Sequence, residues 1–514
     1  LIIVIFGQKS AEPDSYMADI RKKSIKATTW IYVGFAIGAL NTYFLTHRDW
    51  FTTDQNGLTR AMIETSQLIF AFSSLGSTTF LYKFFPYYSD NLESKKNDLL
   101  FVALVISLIG FVMTMTGLHF LKPTIVRKFS ANSILYVEYF SWIIPMGFFV
   151  LLYNILESYA YGFEKGVLTS FLKEAVLRFY TCGIIVLKVF GLIDFKTFVI
   201  LFAFQYALIV LILLIHLYKH RQLWFSIKPS RVTWKFRKKI GLVMTLTFVV
   251  IIVGVIRQSI DGLVLAAKQN LGKVGIFGLA SYVASVMQAP FRSMTAITLP
   301  ILSRAWKDKN HAEINRIYQR SSINLLSFAL FMFLLIWMNF RDAIEVLNIN
   351  PEYLEGEWVF FMLGMVTIIE LGTGVNGQII GTSTFWRFEL WTSLLLTAMI
   401  IPLSYTLTVQ YGLVGPAIAN LVSFTVYNAI RFGFLWKKFQ MQPFSVKTLE
   451  ILLISGVSYL IAWLASEPFS GIASMLIRSL LFMALFITGM IKRKISPDAE
   501  PVLNQLLRRL RLKK

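Results

Sequence analysis

Apolar residues in this chain come in runs of about twenty, separated by short polar stretches, and that blocking constrains the fold more than any other feature. About twenty apolar residues are what an α-helix needs to cross the roughly 30 Å hydrocarbon core of a bilayer. Inside hydrocarbon every backbone N–H and C=O must find a partner within the protein, so only helices and closed barrels can span it. A barrel would show weaker, alternating segments of about ten residues, and none is present. The expected fold is therefore all-α and polytopic, with about fourteen transmembrane helices. They are placed at 27–46, 61–83, 99–121, 136–157, 168–189, 195–218, 240–265, 275–300, 322–340, 357–380, 388–409, 411–436, 447–465 and 471–491. Composition agrees. Hydrophobic residues make up 56% and charged residues only 15%, where a soluble chain carries roughly a quarter charged.

The 50 basic residues outnumber the 28 acidic ones, giving +22. In a soluble protein that balance would suggest nucleic acid. Here the positive-inside rule accounts for it, and no nucleic-acid partner is expected. With the N-terminus inside, cytoplasmic segments hold 33 Lys and Arg against 10 in the opposite ones, so both termini are expected in the cytoplasm. Residues 1–16 read as a non-structural extension before Met17, with no convincing cleavable signal. The longest basic connection, 219–239, contains Trp224 and Trp234 and separates a six-helix lobe over 17–218 from a second over 240–439. That connection is either a topogenic loop or a helix lying on anionic headgroups. An additional helix pair over 447–491 and a basic cytoplasmic tail over 492–514 complete the organisation. The second span ends Phe85-Pro86-Tyr87-Tyr88-Ser89 and the eighth Leu299-Pro300-Ile301-Leu302-Ser303. Two Pro-x-x-Ser sequences in matching places suggest parallel repeats about an axis along the membrane normal.

An ionisable residue at mid-membrane costs about 2.5–3.5 kcal/mol on insertion scales, so each one needs a reason. Six basic residues fall inside the spans: Lys173, Arg178, Arg257, Arg292, Arg431 and Arg478. Arg178 follows Glu174 by four residues, and Arg257 precedes Asp261 by four, so each has a potential partner on its own helical face. Arg431 and Arg478 lie near span ends, from which they can snorkel. Arg292 has no acid within a turn, and Pro290 beside it should open the helix and free carbonyls. A lone arginine on a Pro-broken helix is expected to face a water-filled cavity and bind an anion. Glu64 and Glu370 could carry a proton, help hold a sodium ion, or pair with an arginine on another span; Glu138 and Glu157 are further acids in the set. The second span, rich in Ser and Thr from Ser66 to Thr79, should line a cavity or pack closely on its neighbours.

Gly372-Thr373-Gly374-Val375-Asn376-Gly377 matches G-x-G-x-x-G literally, but it follows no strand and lies in an apolar span. Close packing or a kink is the reading that fits. No P-loop sequence is present, the five histidines lack metal-ligand spacing, and the single cysteine, Cys182, excludes disulfides. No cofactor and no catalytic constellation are expected.

The stretches Arg257-Gln258-Ser259-Ile260-Asp261-Gly262, Val274-Gly275-Ile276-Phe277-Gly278 and Tyr411-Gly412-Leu413-Val414-Gly415-Pro416 resemble the polysaccharide-transporter branch of the multidrug/oligosaccharidyl-lipid/polysaccharide exporter superfamily. So do Asn428-Ala429-Ile430-Arg431 and Trp436-Lys437-Lys438-Phe439. The resemblance, over most of 17–440, implies a MATE-like fold of two six-span lobes around a central cavity, commonly with two further C-terminal spans. The implied function is flipping undecaprenyl-diphosphate-linked oligosaccharide across the bacterial inner membrane for O-antigen, capsule or exopolysaccharide synthesis. Polysaccharide polymerase and glycosyltransferases are the implied protein partners, with anionic lipids at the cytoplasmic face. In the related lipid II flippases, cavity arginines on the first, second and eighth spans receive the diphosphate. Arg292 matches the eighth; the first and second offer only Lys22, Lys23 and Lys26 at a mouth and Lys83 at an end. The candidate anion-binding set is Arg292, Arg257, Arg178 and Lys173, and the candidate coupling or charge-pairing set is Asp261, Glu370, Glu64 and Glu174. Two other functions compete: a cation-coupled multidrug exporter of the same fold, and a membrane-embedded polymerase or glycosyltransferase. The short outer connections argue against the second.

Overall fold

The computed structural model describes residue 30 and residues 33–496, so the 1–16 extension, Lys22, Lys23, Lys26 and the tail beyond 496 lie outside the described residues. Among those described, the chain is helical throughout, without a β-strand. It divides into two compact units that meet in sequence at Gly275 and Ile276.

The N-terminal unit contains α1 (Val33–Thr46), α2 (Thr53–Ser74), α3 (Ser77–Asn91), α4 (Leu99–Phe129), α5 (Ile134–Glu138), α6 (Phe140–Tyr161) and α7 (Gly166–Phe171). After a π-helical turn at Leu172–Val176 come α8 (Leu177–Val189), α9 (Phe195–Ala203), α10 (Gln205–Lys219) and α11 (Arg231–Lys268). The chain then enters α12 (Leu271–Val286), which carries on past Gly275. Helix α2 starts well before the predicted 61, because Thr52 and Gln55 form a reciprocal capping box. Its serines pack rather than line a cavity. Ser66, Ser73, Ser74 and Ser77 are buried, with Ser77 hydrogen-bonded to Ser107 (2.7 Å) and Ser73 to Thr114 (3.2 Å). At Leu75 and Gly76 the backbone turns left-handed (φ 45° and 79°), which bends α2 against α3 by 50°. The 219–239 connection forms no separate surface helix. Residues from Arg231 onward belong to the 38-residue α11, whose first turn is capped by Ser230. Asp98 accepts from Ser230 N (2.8 Å) and Thr233 Oγ1 (2.6 Å), fixing that start. Because α11 packs on α2 and α3, the compact unit runs beyond the predicted end of the first lobe at 218.

The C-terminal unit adds α13 (Ala289–Lys307), α14 (His311–Trp337), α15 (Phe340–Val346), α16 (Glu357–Gly372) and α17 (Asn376–Thr382). It ends with α18 (Trp386–Tyr411), α19 (Gly415–Phe439), α20 (Val446–Ser466) and α21 (Gly471–Lys492). Helices α12 and α13 bend by 47° at the expected Pro290 break, and α16 and α17 by 48° at Gly374 (φ 60°). The glycine-rich sequence in the tenth span is thus a kink. Arg478 of α21 does not snorkel. It donates to Asp342 (2.8 Å) and Ser466 (3.1 Å), and to Ser474 and the Met338 carbonyl, tying the last helix pair to the unit.

Among the described residues, eight helices are long and apolar enough to cross a membrane, or eleven if each bent pair is one span. The short α1, the charged α7–α8 segment and the division of Trp386–Phe439 into two helices account for the difference from the predicted number. This is an all-α, multi-pass membrane protein.

Candidate functional site

The break falls within the predicted eighth span. Helix α12 contributes 16 residues before it and α13 contributes 19 after it, roughly 24 Å and 28 Å of helix. Pro290 occupies the first turn of α13, where its missing N–H costs nothing. Arg292 follows at once and is exposed. A guanidinium therefore stands beside the N-terminal, partially positive end of a helix that begins at this break, and both favour an anion. Gln288, at the cap, donates to Glu370 of α16 (3.2 Å), and Gln378 of α17 donates to Thr295 of α13 (3.2 Å). These hydrogen bonds join the two broken spans of the C-terminal unit into one polar seam.

The N-terminal unit holds the other charges. Lys173 reaches Glu157 (3.7 Å) and Arg178 pairs with Glu174 (2.8 Å), so both cations are met by acids. Arg178 also donates to the Gly34 carbonyl (2.5 Å), and Asn41 donates to the Arg178 carbonyl (3.0 Å), locking α1 to α8. The expected Arg257–Asp261 pair is not formed. Asp261 lies near enough to Glu64 for their charges to interact, while Arg257 is half-buried and makes no ion pair among the described residues. Helices α2 and α11 approach closely here. A Cβ on Gly262 would sit 2.0 Å from the Glu64 carboxyl, which occupies the space that glycine leaves. Glu64 pairs with Arg60 one turn earlier on its own helix (2.9 Å).

Comparisons add the fold. No known family's sequence profile matches the chain, and no curated protein matches it in sequence. Solved structures do. The lipid II flippase MurJ in an inward closed conformation superposes with a TM-score of 0.72 at 16% identity, covering 91% of this chain and 99% of that one. The chain has the fold of these transporters. An inward-facing multidrug resistance MATE family transporter of the MOP superfamily gives 0.57 at 15% identity, covering 81% and 99%. The MATE multidrug transporter DinF-BH gives 0.55 at 16%, covering 84% and 98%.

Two residues of the charge map escaped the sequence reading. Arg60 fell outside a second span predicted to begin at 61. The Thr52–Gln55 capping box, which moves the helix start to Thr53, is the signal that would have found it. Glu389, placed in the first turn of α18, forms an ion pair with Arg431, and Tyr427 lies under the same guanidinium at 3.8 Å. Arg431 is thus buried and paired instead of snorkelling to the cytoplasm. Only the packing of α18 on α19 brings these two together, and no local pattern encodes that.

Proposed function

We propose that the chain flips a lipid-linked oligosaccharide, carried on undecaprenyl diphosphate, across the bacterial inner membrane by alternating access, with both termini in the cytoplasm. The observation that carries this reading is Arg292 in the first turn of a helix that begins at a break within the predicted eighth span. A guanidinium there can make bidentate contacts to a diphosphate while the helix end adds its partial charge. Within the N-terminal unit, Arg257 makes no ion pair among the described residues and is the cation that could serve an anion. The lipid II flippase also covers more of the chain than the MATE transporter, by 10 percentage points. That is about the length of the C-terminal pair α20–α21. Outward movement of net negative charge gains about 2.3 kcal/mol per charge per 100 mV from an inside-negative potential. Polymerase and glycosyltransferase partners follow from this reading.

A cation-coupled multidrug exporter is the second reading, favoured by the proximity of Glu64 and Asp261. Arg292→Ala separates them. Loss of surface polysaccharide, with lipid-linked units accumulating on the cytoplasmic leaflet, is the expected result. Intact polysaccharide together with lost drug resistance would overturn the flippase reading.

A further inference from the structure

We propose that the N-terminal unit carries a dedicated site for the phosphate of an anionic phospholipid headgroup. The site is separate from the intramembrane charges and independent of the transported substrate. A cleft of about 490 Å³ opens where α3 and α10 end and α4 begins, lined by Ser94, Lys95, Tyr218, Lys219, Arg221 and Trp224 among others. Ligand sites typically span about 300–1,000 Å³. The cleft holds three cations and no acid. Glu93, the acid beside it, is taken up by Lys96 (3.0 Å), and among the described residues Lys95, Lys219 and Arg221 form no ion pair.

The frame that carries these cations is fixed. Arg221 has a left-handed backbone (φ 55°), uncommon for a residue with a side chain and held here by its surroundings. Its N–H donates to the Tyr218 carbonyl (3.0 Å), and Gln222 N–H donates to the Leu217 carbonyl (2.9 Å). The Tyr159 hydroxyl accepts from Trp224 N–H (3.1 Å) and donates to the Gln222 carbonyl (2.9 Å). Trp224 stacks on Phe85 with ring centres 5.8 Å apart and planes 17° apart.

Position selects the ligand. The cleft lies at the polar ends of α3, α10 and α4, where spanning helices give way to a basic connection, and Tyr218 and Trp224 are residue types enriched at membrane interfaces. Clustered Lys and Arg at such a boundary recognise anionic headgroups. Inorganic phosphate shares the chemistry but lacks the chains that would hold it in the membrane plane.

The test is native mass spectrometry of the full-length protein in neutral detergent, titrated with phosphatidylglycerol. Each of K95Q, K219Q and R221Q should weaken the tightest binding by about fivefold, and the triple variant by about a hundredfold. The charge-matched control K122Q/R127Q/K128Q, at the other end of α4, should leave it unchanged. Phosphatidylcholine and inorganic phosphate should not displace the bound lipid. Equal losses in both triple variants, no loss in the first, or displacement by inorganic phosphate would each overturn the assignment. The single variants keep the test open should the triple variant fail to fold.

Discussion

Replacing Arg60 with Met removes one member of a buried ion pair and leaves the other in place. The Glu64 side chain is 9% exposed and that of Arg60 30%. Glu64 Oε2 has no hydrogen bond, and Asp261 adds a like charge nearby. Breaking a buried pair from one side costs about 3–5 kcal/mol. Arg60's partial exposure and the carboxyl's option of taking up a proton place R60M at about 3 kcal/mol. Glu64→Gln is milder, about 1 kcal/mol, because the guanidinium left behind reaches solvent and the Glu64–Asp261 repulsion is relieved. The double variant R60M/E64Q removes both charges and should cost no more than E64Q alone, a coupling of about 3 kcal/mol. At roughly 2–4 °C per kcal/mol for a unit of this size, R60M should melt about 6–12 °C below the parent and the double variant within about 4 °C. Intrinsic-fluorescence melts of the four purified proteins in one detergent measure this. Equal melting of R60M and R60M/E64Q would refute the argument, since the loss would then come from packing and not from an abandoned carboxylate.

Other positions give sharper or more local outcomes. Gly57→Ala would place a methyl carbon 1.8 Å from the Leu271 carbonyl oxygen, a backbone atom that cannot swing away; a loss of about 3 kcal/mol is expected, seen as a fall in monodisperse protein on size exclusion. Gly374→Ala puts a side chain at φ 60°, with its Cβ 2.8 Å from Ser321 Oγ and 3.0 Å from Ser322 N. It should cost about 2 kcal/mol, read as a lower thermal midpoint. Arg478→Met abandons Asp342 and frees the last helix pair. About 2 kcal/mol is lost, since Asp342 is partly exposed, and hydrogen exchange should quicken over 446–492, with R478M/D342N partly restoring protection.

Much of the fold was readable because the bilayer simplifies the problem. Apolar runs of spanning length set the class, and Pro290 and the Gly372–Gly377 sequence announced two of the three bends. The third escaped notice, because Leu75 and Gly76 carry no strong turn signature and the bend is stabilised from outside. A Cβ on Gly76 would meet the Met244 carbonyl at 2.2 Å, so α11 passes directly over the break. Pairing of charges was legible only where both partners share one helical face, as in Glu174–Arg178. Arg257 and Asp261 meet that condition and still form no ion pair with each other, while Asp261 lies within electrostatic reach of Glu64 on α2. Glu389–Arg431 and Asp342–Arg478 join residues 42 and 136 positions apart. Such pairs depend on tertiary packing, which hydropathy does not encode.

The three broken spans differ in what becomes of their backbone, and the difference points to where an anion could act. A helix interrupted in hydrocarbon must have its freed N–H and C=O groups answered by something. In the tenth span neighbouring side chains do so: Ser322 Oγ donates to the Gly372 carbonyl (2.5 Å) and Ser321 Oγ accepts from Val375 N–H (3.4 Å), while Asn428 ties together the side chains of Thr373 (3.0 Å) and Asn376 (3.1 Å) across the break. In the second span, buried serines and the backbone of α11 close over the bend. The eighth is capped by its own chain, with Phe291 and Arg292 N–H both directed to the Gln288 carbonyl (3.1 and 3.4 Å), and Pro290 contributes no donor. Its answering groups are local and polar, and the residue added at that point is a cation on an exposed face. Closing the tenth-span kink with a methyl group should therefore register first as lost stability. Neutralising Arg292 should register as lost transport in a protein that still melts near the parent temperature, and a large drop in that temperature would place Arg292 among the structural charges instead.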